Sequence, residues 1–230
     1  MAVVGLLVAA GSGARLGAGR PKAFVDCAGR ELLEWSLDVL RLSCDRVVVA
    51  VPAGFEGGDP DRVVGAPSRS GSVRAALGAA PEARVAVVHD AARPLVTPGL
   101  VEDCLAALEE GWDGAVAAAR ATDTLKEAGP EDGCIVATVD RARLWAAQTP
   151  QVFRADVLRR ALAVDAATLA AASDDAALVE AAGGTVRVVD APPDNLKVTS
   201  ALDLRMAEAL LRERDGPVPA GAGAEHSTAP

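Results

Sequence analysis

The segment VVGLLVAAGSGARLG, residues 3–17, decides the fold because a short apolar run leads directly into a glycine-rich loop. Val3–Ala10 is continuously apolar, as a strand of a parallel sheet covered on both faces is. It lacks a preceding basic region and leads into Gly11-Ser12-Gly13, so it is predicted to be a strand and not a signal peptide. In an open α/β sheet, ligands bind beyond the carboxyl ends of the strands. The loop therefore lies at a candidate binding site.

Four further apolar runs are predicted strands, namely Val47–Val51, Val85–Val88, Ala115–Ala119 and Val186–Val189. Amphipathic stretches between and after them place apolar residues on one helical face. Those faces carry Leu33, Leu37 and Leu40; Val73, Ala76 and Leu77; Val101, Leu105 and Leu108; and Leu202, Met206 and Leu210. Predicted N-caps are Thr97, Ser173, and either Thr199 or Ser200. The alternation predicts an α/β fold, a Rossmann-like, mostly parallel sheet with helices on both faces.

Residues 123–140 break this alternation. Leu125–Glu127 and Ile135–Val139 are β-prone runs on either side of a Gly-Pro-Glu-Asp-Gly turn, which predicts a hairpin. We expect a protruding β-hairpin over about residues 121–143 that serves as a dimerisation arm or covers a site. Residues 1–215 are predicted to form a single domain, and residues 216–230, which lack periodicity, a disordered tail.

Composition limits the classes of function. The net charge of the 230-residue chain is −9, whereas a nucleic-acid-binding protein needs a basic footprint, so we expect no nucleic-acid partner. No apolar stretch reaches the roughly 18 residues that span a bilayer, so we expect no membrane association. The cysteines, Cys27, Cys44, Cys104 and Cys134, form no CxxC motif, which argues against structural zinc. They are predicted to be buried and free, as suits a cytoplasmic protein.

The residues of the loop alone leave three interpretations open. A dinucleotide fingerprint needs glycine where Leu16 stands, and an acidic residue where the second strand ends in Val51-Pro52-Ala53. A Walker A loop needs Gly-Lys-Ser/Thr, which is absent here. A tight turn without a ligand is the third interpretation. Arg15 and Lys22 favour a phosphate site, because two cations beside an anion-binding turn can surround a triphosphate.

The loop has a family resemblance. Residues 9–16, AAGSGARL, followed by Pro21-Lys22, resemble the opening of the sugar nucleotidyltransferases. Five further motifs, in the same order, are similar to those of the 2-C-methyl-D-erythritol 4-phosphate cytidylyltransferase family. They are VHDAARP (88–94), DTLK (123–126), TVDR (138–141), QTPQVF (148–153) and DNLKVT (194–199). The resemblance extends from about residue 3 to residue 212.

The resemblance implies CTP as the nucleotide donor and a phosphorylated polyol, 2-C-methyl-D-erythritol 4-phosphate, as the acceptor. It also implies Mg²⁺ held mainly by the CTP phosphates, with no protein residue assigned to the metal, and a homodimer whose hairpin reaches into the partner's site. The implied catalytic residues are Arg15, Lys22, Arg141 and Lys197. The implied nucleotide-binding residues are Ala9, Ala10, Gly11, Gly13, Ser72, Asp90 and Ala91. The implied substrate-binding residues are Asp90, Arg93, Thr124, Arg141, Thr149 and Ser173.

Such a reaction needs no general base. Its nucleophile is a phosphate oxygen, which is ionised near neutral pH because the second pKa of a phosphate monoester is about 6. We therefore predict that His89 is a packed or orienting residue and not a catalyst. For Asp90 and Arg93, a purely structural ion pair is the alternative to a role in binding.

The family pattern is not followed everywhere. Pro67 stands in the loop that the resemblance assigns to base recognition and cannot donate an N–H, so fewer backbone contacts to the base are expected. The closest alternative function is a cytidylyltransferase for another polyol phosphate, such as ribitol 5-phosphate. Two more distant alternatives are a nucleotide-dependent dehydrogenase, against which Leu16 and the missing strand-end acid argue, and a non-catalytic nucleotide-binding subunit.

Overall fold

The structure is a computed structural model that describes residues 2–11, 13, 16, 17, 19–130 and 132–215. Arg15, with its predicted catalytic role, and the predicted disordered tail at 216–230 lie outside the described residues. The strands are β1 Val3–Val8, β2 Asp26–Cys27, β3 Arg30–Glu31, β4 Arg46–Val51, β5 Arg62–Val64, β6 Val85–Asp90, β7 Gly114–Arg120, β8 Lys126–Ala128, β9 Ile135–Thr138, β10 Trp145–Arg154 and β11 Val186–Asp190. The α-helices are α1 Leu32–Ser43, α2 Arg69–Gly78, α3 Pro98–Glu109, α4 Ala155–Ala161, α5 Ala166–Ala171, α6 Asp175–Ala181 and α7 Ala201–Asp215.

One large sheet organises the described part of the chain. Its seven strands lie in the order β11-β7-β10-β6-β1-β4-β5. β1 pairs in parallel with β4 and β6, β4 with β5, and β7 with β11, whereas β10 runs antiparallel to β6 and β7. The predicted mostly parallel α/β sheet is therefore confirmed, and each of the apolar runs predicted to be a strand is one.

Strand β10 was not predicted. It contains Pro150, and a proline within a run is normally a sign against a central strand because it cannot donate a ladder hydrogen bond. Here the register with β7 shifts between Ala147 and Gln151, so Pro150 lies in an irregularity where no regular ladder bond is needed. The Thr149–Pro150 peptide bond is cis.

Helices cover both faces of the sheet. Successive side chains of a strand point to opposite faces, so Leu6 and Leu7 of β1 enter different cores. Leu7 packs in the core that includes residues of α1 and α3. Leu6 packs in the core that includes residues of α2, α4, α5 and α6. The apolar faces predicted for α1, α2 and α3 are the buried ones, with Leu105 only partly buried.

The structure corrects two details of the predicted helices. Thr97 caps α3 as predicted, accepting from the Leu100 N–H at 3.3 Å, but α6 is capped by Asp174, which accepts from Ala177 N–H at 2.9 Å, and not by Ser173. In α7 the face predicted to pack is wrong for two residues, because the exposed fractions of Leu202 and Met206 are 56% and 48%. The helix instead buries Ala207 and Leu211, four residues apart, against a small separate core.

An antiparallel hairpin of β8 and β9 lies outside the large sheet, at the predicted place. All described residues of both strands are exposed, including Ile135 and Val136. Its role as a dimerisation arm stays a prediction. Cys134, in the turn of the hairpin, is exposed, contrary to the prediction of buried cysteines. Cys27 and Cys104 are buried as predicted. In the part of the chain that the structure describes, no helix has the length and apolar character to cross a membrane.

The contact between Gly114 and Phe153 gives a test of the β7–β10 packing. A Cβ atom added to Gly114 would lie 2.4 Å from Cδ1 of the fully buried Phe153 ring. We expect Gly114→Ala to lower the free energy of unfolding by about 1–3 kcal/mol through overpacking, as measured by urea denaturation. Gly99→Ala is the control, because Gly99 is exposed in the first turn of α3 and an added Cβ would meet nothing within 4 Å. This substitution should not lower the free energy of unfolding. Equal curves for wild type and Gly114→Ala would contradict this account.

Candidate active site

A cleft opens at the carboxyl ends of β1, β4, β5 and β6, where a parallel sheet brings strand-end loops together. It encloses about 640 Å³ of empty space, counting its open mouth. The predicted site residues that line it are Ala9, Ala10, Gly11, Lys22, Ser72, Asp90, Ala91 and Lys197. Residues that line it without having been assigned to the site are Val8, Ala23, Ala66, Pro67, Ser68, Arg69 and Ala92. The fold thus brings together motifs that are separated by up to 189 residues of sequence (8 to 197).

The glycine-rich loop packs against the lysine that follows it. Gly13 has φ +67°, and a Cβ there would lie 2.5 Å from Cβ of Lys22. Glycine is therefore required both for the left-handed backbone and for the close approach. The ammonium group of Lys22 donates to the Val198 carbonyl at 2.8 Å, next to Lys197. Two cations of the predicted set, Lys22 and Lys197, consequently lie on one wall of the cleft.

Asp90 is buried at the centre of an ion-pair network whose Lys197 end is exposed. Lys197 Nζ lies 2.6 Å from its Oδ2, and Arg69 Nε lies 2.8 Å from its Oδ1. Arg69 Nη1 also pairs with Asp175, whose side chain is fully buried at the start of α6. Burial by itself would raise the pKa of Asp90, but Arg69 and then Lys197 hold it well below its usual range. Asp90 is therefore an anion at every physiological pH.

Arg69 is the residue that site prediction missed. Burial would lower its pKa, but Asp90 and Asp175 raise it above its usual value, so the guanidinium stays charged. Its Nη2 is buried without a hydrogen-bond partner among the described residues. The sequence offered one signal: Arg69 stands three residues before Ser72, at the place where the family pattern has an arginine. Its partner Asp175 lies 106 residues further along the chain and could not be inferred.

The loop before α2 is braced by its own side chains. Ser68 caps the helix by accepting from Gly71 N–H at 3.1 Å. The Ser72 hydroxyl accepts from Ala66 N–H at 3.0 Å and lies within donating distance of the carbonyls of Ala66 and Ser68. Gly65 is needed because a Cβ there would lie 2.3 Å from Cβ of Ala10. These contacts aim the amino end of α2 at the cleft, where its free N–H groups suit an anion.

Arg93 and Thr149 lie behind the cleft. Arg93 does not form the structural ion pair with Asp90 that the sequence left open: its Nη1 donates to the Asn195 carbonyl at 2.6 Å. Burial lowers the pKa of its guanidinium. The Thr149 hydroxyl accepts from Asp90 N–H at 3.1 Å and contacts His89 Nδ1 at 3.0 Å. Both residues therefore hold the backbone that carries Asp90 and Lys197.

The remaining predicted residues do not line the cleft of their own chain. Thr124 and Arg141 are exposed at the base of the hairpin, where Arg141 Nη1 donates to the Thr122 carbonyl. Ser173 is exposed beside Asp174, the cap of α6. One chain thus supplies the nucleotide side of the predicted site, and the residues assigned to the acceptor phosphate stand apart from it.

The parallel sheet, the glycine-rich loop and the cationic cleft at its edge define a nucleotide-binding α/β enzyme of the nucleotidyltransferase class. The family model described as 2-C-methyl-D-erythritol 4-phosphate cytidylyltransferase matches residues 3–213. The chain belongs to this family. The resemblance drawn from the motifs is thereby confirmed, and the dinucleotide-binding interpretation of the loop is set aside.

Individual relatives agree with the family. The chain is 44% identical over 227 residues to the 2-C-methyl-D-erythritol 4-phosphate cytidylyltransferase of Saccharopolyspora erythraea, covering 92% of this chain and all of that protein. It is 44% identical over 214 residues to the Deinococcus radiodurans protein of the same name, covering 92% of this chain and 90% of that one. The crystal structure of the Thermus thermophilus cytidylyltransferase superposes with a TM-score of 0.75 at 36% identity, covering 90% of this chain and 98% of that chain.

The charge of Asp90 gives a pH-dependent test of the network. Asp90→Asn leaves two cations with fewer anionic partners, so we expect a lower free energy of unfolding at neutral pH. The pKa of Asp90 is lowered in the folded state, so its contribution is complete above the unfolded value of about 3.9 and is lost as the pH falls through the folded pKa. In urea titrations the difference between wild type and variant should stay constant from about pH 8 to pH 5 and narrow below about pH 4.

The control for this titration is Glu109→Gln, at an exposed position of α3, which should leave the unfolding curve unchanged at neutral pH. A difference between wild type and Asp90→Asn that does not narrow in acid would contradict the assigned role of the carboxylate.

Proposed function

We propose that this protein transfers the cytidylyl group of CTP to 2-C-methyl-D-erythritol 4-phosphate, giving 4-diphosphocytidyl-2-C-methyl-D-erythritol and pyrophosphate. The observation that carries the proposal is the family match over residues 3–213, in a chain whose fold gathers the motifs at 9–22, 88–94 and 194–199 around one cationic cleft. The reaction belongs to the non-mevalonate synthesis of isoprenoid precursors.

The cleft suits a reaction between two anions. The attacking group is an ionised phosphate oxygen, so the protein has to bring it in line with the α-phosphorus and stabilise the developing charge. Lys22 and Lys197, which come from opposite ends of the chain, supply positive charge on one wall of the cleft. Arg15 is expected to add to it. Lys197 is held by Asp90 and Lys22 by the Val198 carbonyl, so both ammonium groups are positioned before a ligand arrives. Charge held in place in this way costs no reorganisation in the transition state.

Mg²⁺ fits the site as an ion carried by the triphosphate. The described residues contain no group of three or more His, Cys, Asp or Glu side chains that could hold a metal. Asp90 is the carboxylate on the cleft wall, and both of its oxygens already pair with cations. A magnesium ion that keeps mostly phosphate and water ligands needs no protein cage. When bound, it would neutralise triphosphate charge, while the lysines act on the same anion from the protein side.

We further propose that the active unit is a homodimer in which the hairpin of one subunit completes the site of the other. Arg141 and Thr124 do not line the cleft of their own chain, yet the family resemblance assigns both to substrate binding and Arg141 to the acceptor phosphate. The hairpin also carries Ile135 and Val136, whose exposed fractions are 61% and 68%. Burial of these apolar side chains against a second copy of the chain would stabilise a dimer. The planar guanidinium of Arg141 suits a phosphate monoester. The buried free cysteines and the acidic surface favour a cytoplasmic location.

The function is tested by pyrophosphate release. We expect turnover with CTP, Mg²⁺ and 2-C-methyl-D-erythritol 4-phosphate, at least about tenfold faster than with ribitol 5-phosphate, because the family's pocket selects its acceptor. Chelation of Mg²⁺ with EDTA should abolish turnover, and added Mg²⁺ should restore it. Equal or reversed rates for the two acceptors would contradict the assignment of 2-C-methyl-D-erythritol 4-phosphate as the acceptor. Binding of CTP without pyrophosphate release would indicate a non-catalytic subunit.

The shared site is tested by complementation between two inactive variants. Lys22→Ala and Arg141→Ala should each lower kcat/KM by at least about 100-fold, because each removes a cation that contacts a phosphate. A 1:1 mixture that exchanges subunits should recover about a quarter of wild-type activity, because half the dimers are mixed and each mixed dimer has one intact site.

The control for the complementation is a mixture of Lys22→Ala with Lys197→Ala: both lysines line the cleft of their own chain, so every site of a mixed dimer lacks one of them and no activity should be recovered. If the lysine and arginine variants recover nothing after verified exchange, the arm acts within its own subunit or not at all.

A further inference from the structure

His89 is the penultimate residue of β6 and is completely buried directly behind the cleft. Its two ring nitrogens have different partners. Nε2 lies 3.2 Å from the carbonyl oxygen of Arg93, and Nδ1 lies 3.0 Å from the hydroxyl oxygen of Thr149. The chemistry of these partners determines where the imidazole proton is.

The Arg93 carbonyl can only accept hydrogen bonds. It already accepts from the Ser36 hydroxyl at 3.1 Å, so it is a carbonyl surrounded by donors. His89 Nε2 must therefore carry a proton to contact it favourably. Burial lowers the pKa of His89 to about 4; the charge of Asp90 and the hydrogen bond to the Arg93 carbonyl oppose the shift, and the charges of Arg93 and Arg69 add to it. The ring is consequently neutral at pH 7, and Nδ1 is an acceptor.

The state of His89 determines the state of Thr149. An unprotonated Nδ1 takes its hydrogen bond from the Thr149 hydroxyl, so that proton is directed away from the cleft. The same hydroxyl oxygen accepts from Asp90 N–H at 3.1 Å, which uses one of its two lone pairs. The Thr149 hydroxyl therefore donates to His89 and accepts from Asp90, and these two hydrogen bonds fix its orientation.

We propose that His89 is a positioning residue of the transfer reaction, which orients the Thr149 hydroxyl to accept from the Asp90 N–H and so fixes the backbone from which Asp90 projects. The proposal rests on the proposed function for the identity of the substrates. It gives Thr149, predicted to bind substrate, the role of holding the Asp90 backbone from behind the cleft.

The same hydrogen bonds reach the catalytic lysine. Asn195 is fully buried; its side-chain amide donates to the Thr149 carbonyl at 3.0 Å and to the Gln148 side chain at 2.7 Å. The carbonyl of Asn195 accepts from Arg93, and Lys197, two residues later, pairs with Asp90. A closed circuit of contacts thus joins His89, Thr149, Asn195 and Lys197. A misplaced His89 ring would disturb Asp90 from the backbone side and Lys197 from the loop side.

The protonation state is tested first, without any assay of activity. A long-range ¹H–¹⁵N spectrum of the ¹⁵N-labelled protein at pH 7 distinguishes the two neutral tautomers from the imidazolium ion. His89 and His226 are the two histidines of the chain, so a His226→Gln variant assigns the signals. We expect a protonated Nε2 and an unprotonated Nδ1 for His89. A protonated Nδ1, in either the other tautomer or the imidazolium ion, would overturn the proposal.

The positioning role is tested by kinetics on full-length variants. Thr149→Val keeps the side-chain shape but removes the hydroxyl, and we expect kcat/KM for the polyol phosphate to fall by about tenfold or more. Thr149→Ser restores the hydroxyl and should recover activity to within about threefold of wild type. His89→Gln should lower kcat/KM to a similar extent. The double variant His89→Gln/Thr149→Val should have a kcat/KM less than about threefold below that of Thr149→Val, because both substitutions remove the same hydrogen bond between His89 and Thr149.

Leu162→Ala provides the matched control for stability, because Leu162, directly after α4, is buried in the core that includes Leu6 and does not itself line the cleft. It should lower the Tm at least as much as Thr149→Val while keeping wild-type kcat/KM. Wild-type kinetics for Thr149→Val, failure of serine to rescue, or an equal loss in Leu162→Ala would each overturn the positioning role. A wild-type protein with the expected tautomer but without cytidylyl transfer would sink the proposed function and leave the assigned proton positions intact.

Discussion

The buried carboxylate of Asp90 joins three distant parts of the chain at the end of β6. It pairs with Arg69 at the start of α2 and with Lys197 in the loop before α7, and Arg69 extends the contact to Asp175 in α6. Two anions and two cations balance each other in this cluster, of which both carboxylates are buried. Removing a cation would leave a buried carboxylate with fewer partners. The relative positions of the start of α2, the loop that carries Lys197 and α6 depend on this cluster.

The distribution of charge, and not its total, suits this acidic protein to a triphosphate. The net charge of the chain is −9, so no general positive field attracts the nucleotide. Positive charge is instead concentrated at one edge of the sheet, where Lys22, Lys197 and the amino end of α2 face one cleft. Behind this wall lies a second layer formed by His89, Thr149, Arg93 and Asn195, which contact one another and the cleft residues through directional hydrogen bonds. The front layer provides charge and the layer behind it provides geometry.

Sequence reasoning worked best where local chemistry decides the outcome. The apolar runs became the parallel strands, Thr97 became the cap of α3, and the Gly-Pro-Glu-Asp-Gly turn closed a hairpin. It failed where a long-range partner decides. Pro150 argued against β10, yet an irregular register between neighbouring strands accommodates it. Helix α7 packs against Cys27, Leu32 and Leu95. The helix face that contacts them contains Ala207, which is buried, and not the larger Met206, which is exposed.

The sequence by itself determined the fold class, the glycine-rich loop with its following lysine, and the family, because these depend on periodicity, backbone freedom and ordered motifs. Only the tertiary structure decided which charges pair. It separated Arg93 from Asp90, supplied Arg69 and Asp175 in its place, and turned the Thr149 hydroxyl toward His89. Ion pairs and buried hydrogen bonds need atoms within a few ångströms of each other. Residues more than a hundred positions apart meet at that distance only when the whole sheet has formed, so no local pattern records their pairing.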